Sequence, residues 1–301
     1  MARVDVRQLR YFLAVVDHGG FGRAADHLLI AQPSLSQTIK ALEQDLGVPL
    51  FHRAGRKSVL SEAGRELVGP ARLVVRDLDA ARAAVEELKG VRSGRLDISA
   101  MPSPGVEPLT SMIAAFSRSH PGVTVNVEAA FTVDDVVESV RGGSSEIGVL
   151  GSERPVRAVG VDVTQLEQQP LVLIMGPGAG NLGADGTVRR SDLAGQRVIV
   201  SQRGSFMRRI VDDILAEGVP LEIAVEVAHR TSILPLVLAG VGHAVLPSSW
   251  AALARHSGLR VARIEPSAVL HVAVVSRESD LTPSARAFLA TARDYAASRN
   301  A

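Results

Sequence analysis

Gln32-Pro33-Ser34-Leu35-Ser36-Gln37-Thr38-Ile39-Lys40-Ala41-Leu42-Glu43-Gln44-Asp45-Leu46-Gly47 reads as one amphipathic helix. Proline suits the first helical turn, where its missing N–H is no loss, and the glycine supplies the stop. Leu35, Ile39, Leu42 and Leu46 recur at intervals of four, three and four residues and form a stripe to be buried. Ser34, Ser36, Gln37, Lys40 and Ala41 are left facing outward. Upstream, Leu9, Phe12, Leu13 and Val16 fall at helical spacing until His18-Gly19-Gly20 ends the run. A short helix from about Phe21 to Leu28 then turns Ala24, Ala25 and Leu28 inward. Two short helices joined by a tight turn, the second exposing small polar groups and a lysine, match what a helix-turn-helix presents to the major groove of DNA. The same periodicity also fits a purely structural three-helix segment.

Downstream, Phe51-His52-Arg53-Ala54-Gly55-Arg56-Lys57-Ser58-Val59-Leu60 is a basic hairpin centred on glycine. It fits a wing lying beside a phosphate backbone, or a solvated turn. Residues 1–61 hold eight Lys and Arg against five Asp and Glu, a net of +3, whereas residues 93–301 hold nineteen against twenty-one, a net of −2. The basic end is therefore the N-terminus, which permits a polyanionic partner there. Taken together, Arg23-Ala24-Ala25, Gln32-Pro33-Ser34-Leu35-Ser36, Ala41-Leu42-Glu43, Leu46-Gly47-Val48-Pro49-Leu50-Phe51 and Leu60-Ser61-Glu62-Ala63-Gly64 resemble the LysR-type transcriptional regulators. The resemblance implies a winged helix-turn-helix that binds double-stranded DNA. Its candidate DNA-binding residues are Gln32, Ser34, Ser36, Gln37 and Lys40 on the reading helix and Arg53, Arg56 and Lys57 on the wing. Gln37 stands where many members carry arginine, so base preference at that position is not inherited.

From Leu67 to Leu88 the apolar positions Leu67, Ala71, Val74, Leu78, Ala81, Val85 and Leu88 alternate by four and three residues. Such a heptad seam suits a helix that pairs with a second copy of itself, with Arg72, Arg76, Glu86 and Lys89 on its flanks. One amphipathic helix docked on its own chain is the alternative. Gly69-Pro70 is expected to interrupt the first turn, leaving the pairing firmest from Ala71 onward. In the resembled family this segment is the dimerising linker helix, which implies a homodimer or homotetramer.

Beyond Arg92-Ser93-Gly94 strand and helix signals alternate to the end of the chain. That alternation predicts a largely parallel sheet covered on both faces and built as two lobes. Leu270–Ser276 and Pro283–Ala296 look like a return to the first lobe. The resemblance implies the same shape, an α/β two-lobed effector domain like the periplasmic solute-binding proteins. The expected fold is thus an N-terminal all-α winged helix-turn-helix (1–61), a linker helix (62–91) and a C-terminal effector-binding domain (92–301). Lobe I would take about 92–163 and 267–301, and lobe II about 164–266.

Ligands of open α/β sheets bind beyond the carboxyl ends of strands, so the loops Met101–Pro104, Phe131-Thr132, Gln202–Ser205 and Arg230–Ser232 are the informative ones. Hydroxyls and helix N-terminal N–H groups suit a carboxylate, with Arg203 or Arg230 adding charge. Ser103, Thr132, Arg203, Ser205 and Thr231 are the effector-binding candidates, and a small carboxylate is the expected effector. Ser205, Thr231 and Ser232 would serve equally as N-caps. Gly178-Ala179-Gly180-Asn181-Leu182-Gly183 spells GxGxxG, but Asp185-Gly186 makes a turn where a nucleotide-binding helix should run, so no cofactor is expected. His243 is read as structural.

The 46% hydrophobic and 22% charged fractions suit a globular chain with a sizeable core. Zero cysteines exclude a thiolate nucleophile, a disulfide or a cysteine-held metal within the chain, and the histidines show no HxxxH or HExxH spacing. No metal site or catalytic residue is expected. Without an apolar run of membrane length or a signal core, a cytoplasmic location away from membranes is expected. A cytoplasmic α/β enzyme or a solute-binding module acting on a small organic acid is the competing reading. The enzyme lacks an acid/base pair in the strand-end loops, and the transport protein would need export.

Overall fold

The computed structural model describes residues 4–54, 57–88, 94–183, 185–278 and 281–300. Helix α1 (Val6–Asp17) starts at Asp5, whose carboxylate accepts the Arg7 N–H at 3.0 Å while Gln8 Oε1 accepts the Asp5 N–H at 2.8 Å. This reciprocal cap satisfies donors that a helix start leaves free. Helices α2 (Phe21–His27) and α3 (Gln32–Leu46) pack on it, and Gly47 ends α3 at φ 73°. Phe12, Ala24, Leu35, Ile39 and Leu42 are essentially inaccessible, and each large side chain so buried contributes roughly 1.5–3 kcal/mol. Leu46 departs from the expected stripe: in the last turn of α3 it is 36% exposed, so burial stops at Leu42.

Strands β1 (Phe51–Ala54) and β2 (Lys57–Leu60) form the antiparallel hairpin, with Phe51 opposite Leu60 and Arg53 opposite Ser58. Helix α4 (Glu62–Leu88) packs against α1 and, contrary to expectation, runs unbroken through Gly69-Pro70. A single proline removes one N–H donor, and the flanking turns, anchored by buried Ala71, continue the helix around it.

The rest of the described chain forms β3 (Gly94–Ala100), α5 (Pro102–Val106), α6 (Leu109–Ser119), β4 (Val123–Ala129), α7 (Val133–Arg141), β5 (Ile147–Ser152) and β6 (Asp162–Met175). These are followed by β7 (Thr187–Arg189), β8 (Arg197–Ser201), α8 (Phe206–Ala216), β9 (Glu222–Val227), α9 (Ile233–Leu238) and β10 (Ala244–Pro247). Helix α10 (Ala251–His256), β11 (Arg260–Glu265), β12 (Val269–Ser276) and α11 (Pro283–Asn300) complete it. The main sheet runs β4-β3-β5-β12-β6-β11-β7, with β10 also paired to β6. Strands β3, β4 and β5 are parallel, as are β8 with β9 and β11 with β7. The expectation of a largely parallel sheet fails at the centre, where β12 is antiparallel to β5 and β6, and β10 and β11 are antiparallel to β6. The physical reason is the double crossing: β6 leaves the first sheet for the second, and the returning strand β12 lies beside it in the opposite direction. The three- and four-residue strands β7 and β10 are too short to show an alternating pattern.

The expected lobe boundary at 163/164 falls inside β6. From Asp162 to Pro170 that strand pairs with β12, and from Leu171 to Met175 with β10 and β11. Thr164–Pro170 therefore lie with the first sheet. Between the two sheets, the carboxyl ends of β3 and β5 face the starts of α8 and of the 3₁₀ turn Arg230–Ser232 across a cleft.

Candidate functional sites: a DNA-reading face and an interlobe cleft

On α3, Gln32, Ser34, Gln37 and Lys40 are exposed and Ser36 is half-buried, while the opposite stripe is locked in the core. Gln32, Ser36 and Lys40 line one groove together with His52 and Ser58 of the hairpin. Neither hairpin residue was singled out from the sequence, although strand alternation turns His52 away from the face of half-buried Phe51 and Leu60. Arg53 and Lys57 stand on the two strands, and Arg56 lies outside the described residues.

Three residues fix the hairpin within the head. Glu43 Oε1 accepts the backbone N–H groups of Leu50 at 2.7 Å and Phe51 at 3.2 Å, so a carboxylate on α3 holds the entry to β1. Ser61 Oγ donates to Pro49 O at 2.6 Å and accepts the Gly64 N–H at 2.9 Å, tying the exit of the hairpin to the first turn of α4. A Cβ at Gly64 would stand 2.2 Å from Leu50 O, a distance no side chain tolerates. Arg23, for its part, is engaged within the head: its guanidinium donates to His18 O at 2.5 Å and Gly19 O at 2.7 Å, capping carbonyls left free at the end of α1.

In the cleft, Ser103, Thr132 and Ser205 line one cavity of about 170 Å³, together with Met101, Phe131 and Leu270. The structure does not bring Arg203 or Thr231 there. Arg203 is exposed in the turn before Ser205, and Thr231 is exposed on the 3₁₀ turn, so neither is among the lining residues. Of the cations at the cleft, Arg230 is the one beside Ser103. Its Nη1 donates at 2.9 Å to Ser103 Oγ, and Ser103 is fully buried. Burial alone pushes Arg230 down to about 10, and among the described residues no carboxylate pairs with it. The group still carries its charge near neutrality, half-buried beside a hydroxyl.

Thr132 and Ser205 also cap helices. Thr132 Oγ1 accepts the Asp135 N–H and Asp135 returns the bond, which holds the Asp135 carboxyl below the usual range; Ser205 Oγ accepts the Arg208 N–H at 3.2 Å. Across the mouth of the cleft, Glu153 after β5 pairs with Arg209 of α8 at 3.0 Å.

His243, away from the cleft, is buried, its Nδ1 accepting the Gly176 N–H at 3.1 Å and its Nε2 3.1 Å from Gln196 Oε1. Burial, aided by Arg260, pushes this imidazole below its ordinary range, as suits a neutral structural group. No helix follows Gly183; the described residues there are turns leading into β7. Among the described residues no cluster of metal-ligating side chains occurs, and no helix is long and apolar enough to cross a membrane.

Two family profiles match the chain: "Bacterial regulatory helix-turn-helix protein, lysR family" over residues 6–65 and "LysR substrate binding domain" over residues 89–297. The chain is 30% identical over 291 residues to the HTH-type transcriptional regulator IlvR of Caulobacter vibrioides, covering 95% of this chain and 96% of that protein. Among solved structures, the crystal structure of CbnR, a LysR family transcriptional regulator, superposes with a TM-score of 0.69 at 28% identity, covering 97% of this chain and 99% of that one. Full-length CbnR complexed with its target DNA gives a TM-score of 0.56 at 27% identity, covering 97% of this chain and 100% of that one.

Proposed function

The chain belongs to the LysR family of transcriptional regulators, and from that membership we propose how its parts act. Residues 1–61 read double-stranded DNA, α4 pairs two copies, and residues 92–301 hold a small anionic effector, with the lobes meeting near Pro170 within β6. The protein works in the cytoplasm. Its relatives are regulators, which sets aside the competing enzyme reading.

The observation that carries the DNA reading is the exposed row Ser34, Gln37 and Lys40 on a helix whose other face is buried through Leu35, Ile39 and Leu42 and whose flanking hairpin is fixed by Glu43. A rigid helix with a polar row can enter the major groove, where a glutamine amide satisfies both the N6 and N7 edge groups of adenine. In this reading Gln32, Ser34, Ser36, Gln37 and Lys40 meet the DNA, with Arg53, Arg56 and Lys57 on phosphates. Gln37→Ala is expected to cost about 1–3 kcal/mol on the preferred operator and to relax preference at one base pair. Lys40→Ala should weaken all sequences alike. In vitro selection with each variant tests this, and an unchanged selected site for Gln37→Ala overturns the base-reading role.

For the effector, the half-buried guanidinium of Arg230 beside Ser103, with no carboxylate of the protein on it among the described residues, supports an anion. Arg230→Gln is expected to lose effector binding while DNA binding without effector persists.

A further inference from the structure

We propose that the effector is a monocarboxylate with an apolar body no larger than about one ring, an inference that rests on the reading of Arg230 as the anion-binding group. The charge inventory of the cleft supports a single negative charge. Among the described residues two cations line the cavity, Arg230 and Arg209. Arg230 makes a 2.9 Å bond to the Ser103 hydroxyl, whereas Arg209 is occupied at 3.0 Å by Glu153, which itself lines the cavity. A second carboxylate on a ligand would have to displace Glu153 from Arg209 while standing close to it, and like charges at that range repel.

The remaining lining fixes the body. Met101, Pro104, Phe131, Val133, Phe206 and Leu270 surround the cavity with apolar surface, which strongly hydrated polyhydroxy acids do not match. Size sets the limit. The cavity holds about 170 Å³, and an apolar cavity of roughly 150 Å³ accepts benzene. An aromatic or alicyclic acid of one ring, or a branched short-chain acid, fits between the apolar wall and the guanidinium. Its carboxylate would replace or share the hydrogen bond that Arg230 gives to Ser103.

Calorimetry on the full-length protein with benzoate, cyclohexanecarboxylate, benzamide, succinate and phthalate tests the class. Benzoate and cyclohexanecarboxylate are expected to bind at least tenfold tighter than the neutral benzamide and than either diacid, and Arg230→Gln to abolish that binding. In Glu153→Gln, which leaves Arg209 without its acid, phthalate should gain at least tenfold. If succinate or phthalate binds the unaltered protein as well as the monoacids, and Arg230→Gln abolishes it, the single-charge class is overturned while Arg230 keeps its role. Failure of both monoacids at millimolar concentration while a diacid binds has the same meaning. Failure of every acid, or binding indifferent to Arg230→Gln, overturns the role of Arg230 itself. Circular dichroism of each variant separates these outcomes from loss of fold.

Discussion

Leu29 joins α2 to α3 in the left-handed conformation, at φ 54°, with its side chain 92% exposed. A branched aliphatic residue gains nothing from such a place, since left-handed backbone costs an L-residue roughly 1–2 kcal/mol and the exposed chain buries no surface. Leu29→Gly or Leu29→Asn is therefore expected to stabilise the head by about 0.5–1 kcal/mol, the strain relieved less the chain entropy added, read as a higher melting temperature; a lower one would show that the added chain entropy outweighs the strain. His243 carries a pH dependence. Its folded-state pKa lies below the ordinary 6.5, so below that pH the unfolded chain takes up a proton that the folded chain refuses. Stability from this group is present above 6.5 and declines as pH falls toward the depressed folded value. Urea melts across that window should show a shallower decline for His243→Gln than for the unaltered protein; parallel curves would remove His243 as the source. Such residues were only partly legible in the sequence. Ser34, Gln37 and Lys40 emerge from the helical period alone, but the bonds from Glu43 to Leu50 and Phe51 span a turn that no local pattern encodes. Arg203 and Arg230 looked alike as arginines after strands. Only the packing of the 3₁₀ turn against α5 puts one beside Ser103 and leaves the other in solvent.

At the scale of elements, α4 divides its apolar positions between two tasks. Ala71 is buried in the head, and Leu67 and Val75 are half-buried against the same core. Val74 is 46% exposed, Ala81 is exposed and Leu78 is half-buried, a row along the helix that its own chain covers only in part. This row is what a second copy would bury. Leu78→Asp puts a charge into that seam, where burying it unpaired is prohibitive, and should yield a smaller species in sedimentation at micromolar concentration. An unchanged size would assign the seam to packing within one chain. The heptad was legible because alternating intervals of four and three are a local signal. Which of its positions the head would claim was not, because that depends on where α1 lies. Strands β7 and β10 illustrate the limit: three or four residues cannot display a period, and only their pairing, β10 with β6 and β7 with β11, defines them once the sheet exists.

Across the whole molecule, the head and the effector domain meet through α4. Arg76 of α4 sits 3.9 Å from Asp97 of β3, next to buried Glu146, and Asn126 of β4 donates to the same aspartate at 3.1 Å. Burial raises the Glu146 carboxyl above its usual range, with Thr282 and Arg76 opposing the shift. Leu73 of α4 also packs against Gly143, where a Cβ would come within 2.8 Å of its Cδ2. Asp97 lies on the strand whose other end leads to Ser103, so the joint and the cleft share one rigid element. Arg76→Ala is expected to cost about 1–3 kcal/mol and to leave calorimetric binding of an acid intact while abolishing its effect on the DNA footprint. A footprint that still responds would place the coupling elsewhere. Strand β6 limits what that response can be. Being one continuous ribbon shared by two sheets, it cannot slide by one residue without turning every inward side chain outward. Translation between the lobes is thereby forbidden in small steps, whereas at Pro170, where β6 passes from one set of partners to the other, no amide hydrogen is there to add a ladder bond. Under the proposed function, a ligand gripped in the cleft would reach the DNA-reading heads as a change of angle and not of distance.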